Sequence, residues 1–445
     1  MERKILQNFR EWKERSAGKT ALLVDGARRV GKSYAVEEFA RSAYKSHLTI
    51  DFSYPRPGTL EAFRDDSYDL DLFFAKLSAL YGVQLHRRES LIVFDEVQLF
   101  PQARQLVKHL VADGRYDYVE TGSLISLHRN VKEILIPSEE EHLEMFPMDF
   151  EEFLLALGDR TTVPFLKERF DGRKPLGQAM HRKTLNEFRK YMLVGGMPQA
   201  VEAFAETGDF AEADRVKKRI LSLYGNDIGK YAGKDEQKVF ALFDGVPGQL
   251  AKKEKRFTLA DIDEDARGRS YENAFVWLDK AMIVNRCVNA TDPGVGLAMS
   301  GEFTTQKCYM GDTGLLVTQA FRDDEFADNA LYKAVLLDKL NVNEGMLMEN
   351  VVAQTLRRNG HHLFFYSRSD SANRANHMEI DFLISDHRRI HPVEVKSSSY
   401  RRHSSLDKFR TKFKDRLGEA FVLYPKDLMV KDEVVHLPLY MAMFL

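Results

Sequence analysis

The stretch "TALLVDGARRVGKS", Thr20 to Ser33, restricts the fold more than any other part of the chain. It carries the pattern G-x-x-x-x-G-K-[ST] in full, with Gly26, Gly31, Lys32 and Ser33 in the fixed places. A short apolar run leads into it. "SYAVEEFARSA", with apolar residues at helical spacing, follows it. Strand, glycine-rich turn and helix form the context in which this pattern binds phosphate. Gly26 and Gly31 let the backbone wrap closely around an anion, which the loop N–H groups and the helix N-terminus then face. Lys32 is expected to reach the β- and γ-phosphates and Ser33 to ligate Mg²⁺. Arg28 and Arg29, inside the loop, fit either a phosphate contact or a solvated surface. ATP and Mg²⁺ are the expected ligands.

The alternation continues beyond the loop. "SHLTIDFSYP" reads as a second strand, "LDLFFAKLSALYG" as a helix, "SLIVFDEVQ" as a third strand, "QARQLVKHLVADG" as a helix and "YDYVETGS" as a fourth strand. Strands alternating with helices predict an α/β domain with a mainly parallel sheet. Asp95 closes an apolar strand, where a carboxylate can meet bound magnesium. Glu96 beside it can polarise an attacking water as general base. Thr121 and Ser123 end the next strand and are placed to hold water or sense the γ-phosphate, although Thr-Gly-Ser is also an ordinary turn.

With 445 residues the chain exceeds one ordinary core. The pattern divides it into an ATPase-like block, 1–155, a mostly helical block with a winged-helix-like element, 156–342, and a third α/β/α block, 343–445. Lys plus Arg number 65 against 67 Asp plus Glu, so global charge gives no support for a nucleic-acid binder and does not exclude a local basic patch. Two cysteines, Cys287 and Cys308, make neither a disulfide scaffold nor a cysteine metal cluster. The charged start has no apolar signal core, and no run of 18 apolar residues suggests a membrane span. A cytoplasmic protein without membrane partners is the default expectation.

The third block holds a second candidate site. Asp381 interrupts the apolar strand "MEIDFLIS", and Glu394 and Lys396 interrupt "PVEVKS" on the next strand. Spacing i, i+2 puts Glu394 and Lys396 on one face. Adjacent strands could set Asp381 beside Glu394. Carboxylates so placed can hold Mg²⁺ against a phosphodiester, with lysine orienting the water. A same-face ion pair at a sheet edge explains the same residues without chemistry. His377, His387 and His391 stand nearby as further donors or as surface residues. Basic residues, among them Arg358, Arg374, Arg389, Arg401 and Arg402, could offer a phosphate-binding surface. The polar loop Ser369–Asn376 fits a mobile segment.

"DGARRVGKS", "LIVFDEVQ", "YVETGS", "YMLVGGMPQAV", "KCYMGDTGLL", "NEGMLMENVVAQTL", "EIDFLI" and "PVEVKSS" together resemble the prokaryotic AAA-superfamily ATP-binding proteins with a C-terminal DUF4143 region. The resemblance covers nearly the whole chain. It implies an N-terminal P-loop ATPase, a winged-helix-like middle and a C-terminal restriction-endonuclease-like PD-(D/E)xK domain. It assigns Asp95, Glu96 and Thr121–Ser123 to the Walker B and sensor 1 positions. It adds Glu349 to Asp381, Glu394 and Lys396 as catalytic or metal-binding, and makes "VGGMPQAV" and "GDTGLL" packing elements. The expected activity is ATP hydrolysis coupled to a metal-dependent nuclease-like domain. The alternative is an ATP-driven switch whose C-terminal domain binds a partner or nucleic acid without cutting. DNA, RNA and further copies of the chain are the partner classes left open.

Overall fold

Residues 1–122, 138–252, 256–257, 268–294, 296–322, 344–368, 377–386, 388–397 and 404–445 are described by a computed structural model. Ser123, Arg374, His387, Arg401, Arg402 and the loop 369–376 lie outside the described residues. The chain divides into two compact units, Met1–Phe146 and Pro147–Leu445.

In the first unit five strands form one parallel sheet: β1 Ala21–Gly26, β2 Ser46–Asp51, β3 Ser90–Asp95, β4 Asp117–Thr121 and β5 Glu140–Met145. Their spatial order is β2-β3-β4-β1-β5. β1 and β3 read as mainly apolar runs because helices cover both faces of such a sheet, while β4 between them also buries Asp117 and Glu120. One side is filled by an aromatic cluster of Phe52, Phe63, Phe73, Phe94 and Phe100, whose rings meet at centroid distances of 5.0 to 6.0 Å. The order has a functional consequence. β4 lies between β1 and β3, so the C-terminal ends of all three bring Gly26, Thr121 and Asp95 to one edge.

The second unit is built around an eight-stranded mixed sheet, formed by β6 Val284–Ala290, β7 Gly301–Met310, β8 Phe364–Arg368, β9 Met378–Ser385, β10 Ile390–Val395, β11 Ala420–Tyr424, β12 Met429–Lys431 and β13 Val434–Pro438. Their order is β12-β13-β11-β10-β9-β8-β6-β7. The sheet draws its strands from two of the expected blocks. β6 and β7 pair antiparallel at one end of this larger sheet. β6 and β7 precede residue 343 in sequence, yet β6 pairs with β8 in the sheet of the C-terminal block. Long-range strand pairing of this kind leaves no periodic trace in sequence, because register depends on a partner more than 70 residues away.

Helices Gln178–Val194, Pro198–Thr207, Phe210–Tyr231 and Thr313–Ala320 pack on one another, and the last of them meets β7. Their junction contains the two motifs expected to serve packing. Gly196 N–H donates to the buried Asp312 carboxylate at 2.6 Å, and Lys217 Nζ donates to Leu193 O at 2.6 Å and Gly314 O at 3.3 Å. A Cβ on Gly196 would stand 2.0 Å from Met148 O, so no larger residue fits there without backbone movement. Among the described residues no helix is long and apolar enough to cross a membrane.

Candidate functional site

The phosphate loop forms where β1 runs into the helix Lys32–Ala43. Gly26 has φ +153, and a Cβ on it would lie 2.3 Å from Met145 O on β5. Only glycine brings the loop that close to its neighbouring strand. Gly31, at φ +94, is the residue before the helix, which presents its N-terminus to the loop. Arg29 also has positive φ, and Arg28 and Arg29 are both exposed.

Lys32 is buried, and its Nζ donates to Gly26 O at 3.0 Å and Ala27 O at 3.1 Å. Burial lowers the ammonium pKa, while Glu96, Asp25 and Asp95 act against that shift. Ser33 Oγ donates to Asp95 Oδ1 at 2.9 Å, and the Thr121 hydroxyl donates to the same oxygen. Glu96 sits in the left-handed region at φ +54, its N–H 3.4 Å from Thr121 Oγ1 and its carboxylate accepting a bond from Gln98 Nε2. The expected residues Lys32, Ser33, Asp95 and Glu96 therefore meet at one edge of the sheet, with Thr121 between them. A hydroxyl and a carboxylate oxygen sharing one hydrogen bond are a donor set suited to Mg²⁺, a hard cation taking oxygen ligands.

In the second unit the expected residues also converge, but around a different cation. Opposite register sets Val393 against Phe382. Val395 N–H donates to Asp381 Oδ2 at 2.9 Å. Lys396 Nζ stands 2.5 Å from Glu394 Oε1, the same-face pair that i, i+2 spacing allows. Glu349, on the helix Glu344–Arg358, accepts a bond from Tyr309 OH at 3.1 Å. Into this group β7 inserts Lys307, fully buried, with its Nζ 2.9 Å from Glu379 and 3.7 Å from Asp381.

The charges respond accordingly. Desolvation, reinforced by Glu349 and Glu394, pushes Asp381 up to about 7 from its ordinary 3.8, and Lys307 only partly offsets this. Burial alone would raise Glu379, but the Lys307 ammonium, with Arg256 and His377, offsets it and the pKa is lowered. Lys307 itself is held well above its usual value by Glu349, Glu379 and Asp381, against burial. A divalent cation among Glu349, Asp381 and Glu394 would meet this ammonium at short range, so the residues present do not fit the expected metal. Among the described residues no group of three His, Cys, Asp or Glu is arranged to hold a metal ion.

Other expected contributors are engaged elsewhere. Gln354, on the same helix as Glu349, accepts from Thr313 N and Oγ1 and donates to Tyr191 OH. His391 meets Asp386 at 3.0 Å and Glu419 O at 3.2 Å, at the sheet surface. Arg358 and Arg389 each donate to a backbone carbonyl, Pro147 O at 2.8 Å and Leu417 O at 3.1 Å, and Arg389 remains exposed. Lys307 and Glu379 escaped the sequence reading. Glu379 stands two residues before Asp381 and shares its face, a period-two signal that could have found it.

Three family models match the chain: an AAA domain over residues 18–154, domain of unknown function DUF8612 over 185–325 and domain of unknown function DUF4143 over 344–440. The chain carries an AAA-type ATPase domain and, separately, a DUF4143 domain. No curated protein matches it. Among solved structures it is similar to a Walker-type ATPase of Pyrococcus abyssi, at 16% identity, TM-score 0.41, covering 72% of this chain and 95% of that one. It is also similar to Cdc6p from Pyrobaculum aerophilum, at 12% identity, TM-score 0.25, covering 76% and 94%. Likenesses this distant leave the site to be read from its own residues.

Proposed function

We propose that this protein is an ATP-driven switch whose C-terminal domain engages a partner or nucleic acid without cleaving it. The observation that carries the second half is Lys307. Its buried ammonium stands 3.7 Å from Asp381, one of the carboxylates that a nuclease would need for metal, and pairs with Glu379 at 2.9 Å. The first half rests on the phosphate loop and on the residues gathered beside it.

In this reading the loop N–H groups and the N-terminus of the helix Lys32–Ala43 bind the phosphates. Lys32 exchanges its two loop carbonyls for β- and γ-phosphate oxygens. Ser33 Oγ and Asp95 would hold magnesium, which supplies charge neutralisation across the phosphates when bound. Glu96 takes the proton of the attacking water at its carboxylate, and Gln98 fixes where that carboxylate points. Thr121 holds Asp95 in place from the strand between.

The test measures ATP turnover and nucleic-acid cleavage together, on wild type, Lys32→Ala and Asp381→Asn. Turnover is expected in wild type and lost in Lys32→Ala. No cleavage of single- or double-stranded DNA or RNA is expected with Mg²⁺ or Mn²⁺. Metal-dependent cleavage that Asp381→Asn abolishes would return the nuclease reading.

A further inference from the structure

In a phosphate loop the N–H groups turn toward the anion, so the carbonyls turn outward and need donors behind the loop. Lys32 serves Gly26 O and Ala27 O. The Val30 carbonyl is served from far away in sequence. Arg3, buried to 7% exposure just before the first helix, donates through Nη1 to Val30 O at 2.7 Å. Through Nη2 the same guanidinium donates to Phe146 O at 2.8 Å. Phe146 follows β5, whose Met145 lies opposite Gly26, and is the last residue of the ATPase unit.

The chain beyond this point is held in the same manner. Pro147 O, the next carbonyl, accepts from Arg358 Nη1 at 2.8 Å. Arg358 ends the helix Glu344–Arg358 at the start of the DUF4143 domain, and also meets Glu152 at 2.8 Å and Asp149 at 3.2 Å. Two successive carbonyls are thus each fixed by an arginine, one belonging to the phosphate-loop unit and one to the DUF4143 unit.

We propose that Arg3 is a positioning residue of the phosphate loop, and that by holding Val30 and Phe146 with one guanidinium it ties the loop's conformation to the chain junction at Phe146–Pro147. A planar guanidinium suits this because its two terminal nitrogens reach separate acceptors in a fixed fork, which a lysine ammonium does not reproduce. Arg3 touches no reacting atom; it acts through Val30 on the loop that binds phosphate. When a phosphate draws the loop N–H groups inward, Val30 O moves with them, and the shared guanidinium carries that shift to Phe146. The inference rests on the ATPase reading above and names a regulatory link of the same site.

The experiment uses the full chain as wild type, Arg3→Ala and Arg3→Lys. Steady-state ATP turnover separates KM from kcat. Hydrogen exchange follows the peptides covering residues 145–152 with and without a non-hydrolysable ATP analogue. Arg3→Ala is expected to raise KM for ATP about tenfold, about 1.4 kcal/mol, with kcat changed less than about threefold. Arg3→Lys should lie between. Wild-type peptides over the junction should change their protection on analogue binding, and this response should be lost in Arg3→Ala. Unchanged KM in Arg3→Ala overturns the proposal. Where that variant does not fold, unchanged KM in Arg3→Lys does the same. A junction response that persists in Arg3→Ala also overturns it. Wild type that neither binds nor hydrolyses ATP refutes the function proposed above, and this one with it.

Discussion

An ammonium placed among carboxylates out of water is stable only while its partners remain charged around it. Lys307 meets that condition through Glu379, whose pKa is lowered beside it, with Asp381 3.7 Å away and the Phe365 ring at 5.0 Å. Removing the cation leaves buried negative charge behind. Lys307→Met is therefore expected to lower stability by about 3 kcal/mol or more, measured by urea unfolding. Glu379→Gln in the same chain should recover part of that loss, and strictly additive effects would show that the pair does not interact. Manganese should raise the melting temperature of Lys307→Ala more than that of wild type, because only the variant offers Glu379 and Asp381 without a resident cation. At the other site Glu96→Gln should keep ATP binding and slow hydrolysis by about 100-fold or more, the scale of a lost general base. An unaltered turnover rate would place the base elsewhere.

At the scale of elements, the junction of helices around Gly195 and Gly196 depends on the absence of a side chain. Gly196→Ala drives a Cβ against the Met148 backbone at 2.0 Å and should cost at least about 2 kcal/mol. Gly248→Ala, in the helix Glu236–Leu250 with nothing within 4 Å, should instead be neutral or stabilise by about 0.5 kcal/mol. Opposite signs in urea midpoints test both. These elements also mark what the amino-acid order could reveal. β1 and β3 were legible as short apolar runs, β2 and β4 by their place between helical stretches, and the phosphate loop fixed how the first of them ends. β5 was not, since "EEHLEM" carries three glutamates and lies at an edge of the sheet. Asp381, Glu394 and Lys396 were found as charges interrupting apolar strands. Lys307 was not, because "GEFTTQKCYM" shows no such contrast and its partners lie 72 and 74 residues further along. The same long-range pairing hid the membership of β6 and β7 in the larger sheet.

Over the whole molecule the two tryptophans fall one to each unit, Trp12 in Met1–Phe146 and Trp277 in Pro147–Leu445, so either unit can be followed by fluorescence once the other tryptophan is replaced. With Trp12→Phe, the signal of Trp277 reports on the unit that holds Asp381. That carboxyl is pushed up to about 7 when folded, against an ordinary value of 3.8. Between those pH values the folded chain binds a proton that the unfolded chain has released. Stability from this group is therefore full below about pH 4, falls as pH rises toward about 7, and is flat above. The slope is on the order of 1 kcal/mol per pH unit. Glu379, whose pKa is lowered, works in the opposite sense: its contribution is present above its unfolded value and is lost on acidification. The two are separated by comparing wild type with Asp381→Asn, which keeps an acceptor for Val395 N–H and removes only the titrating charge. The difference in unfolding free energy between these chains should change with pH across the range from about 4 to about 7 and be constant beyond it. A difference that does not vary with pH would mean that Asp381 titrates alike in the folded and unfolded chain, and that the crowding of Glu349, Glu394 and Lys307 around it does not hold in solution.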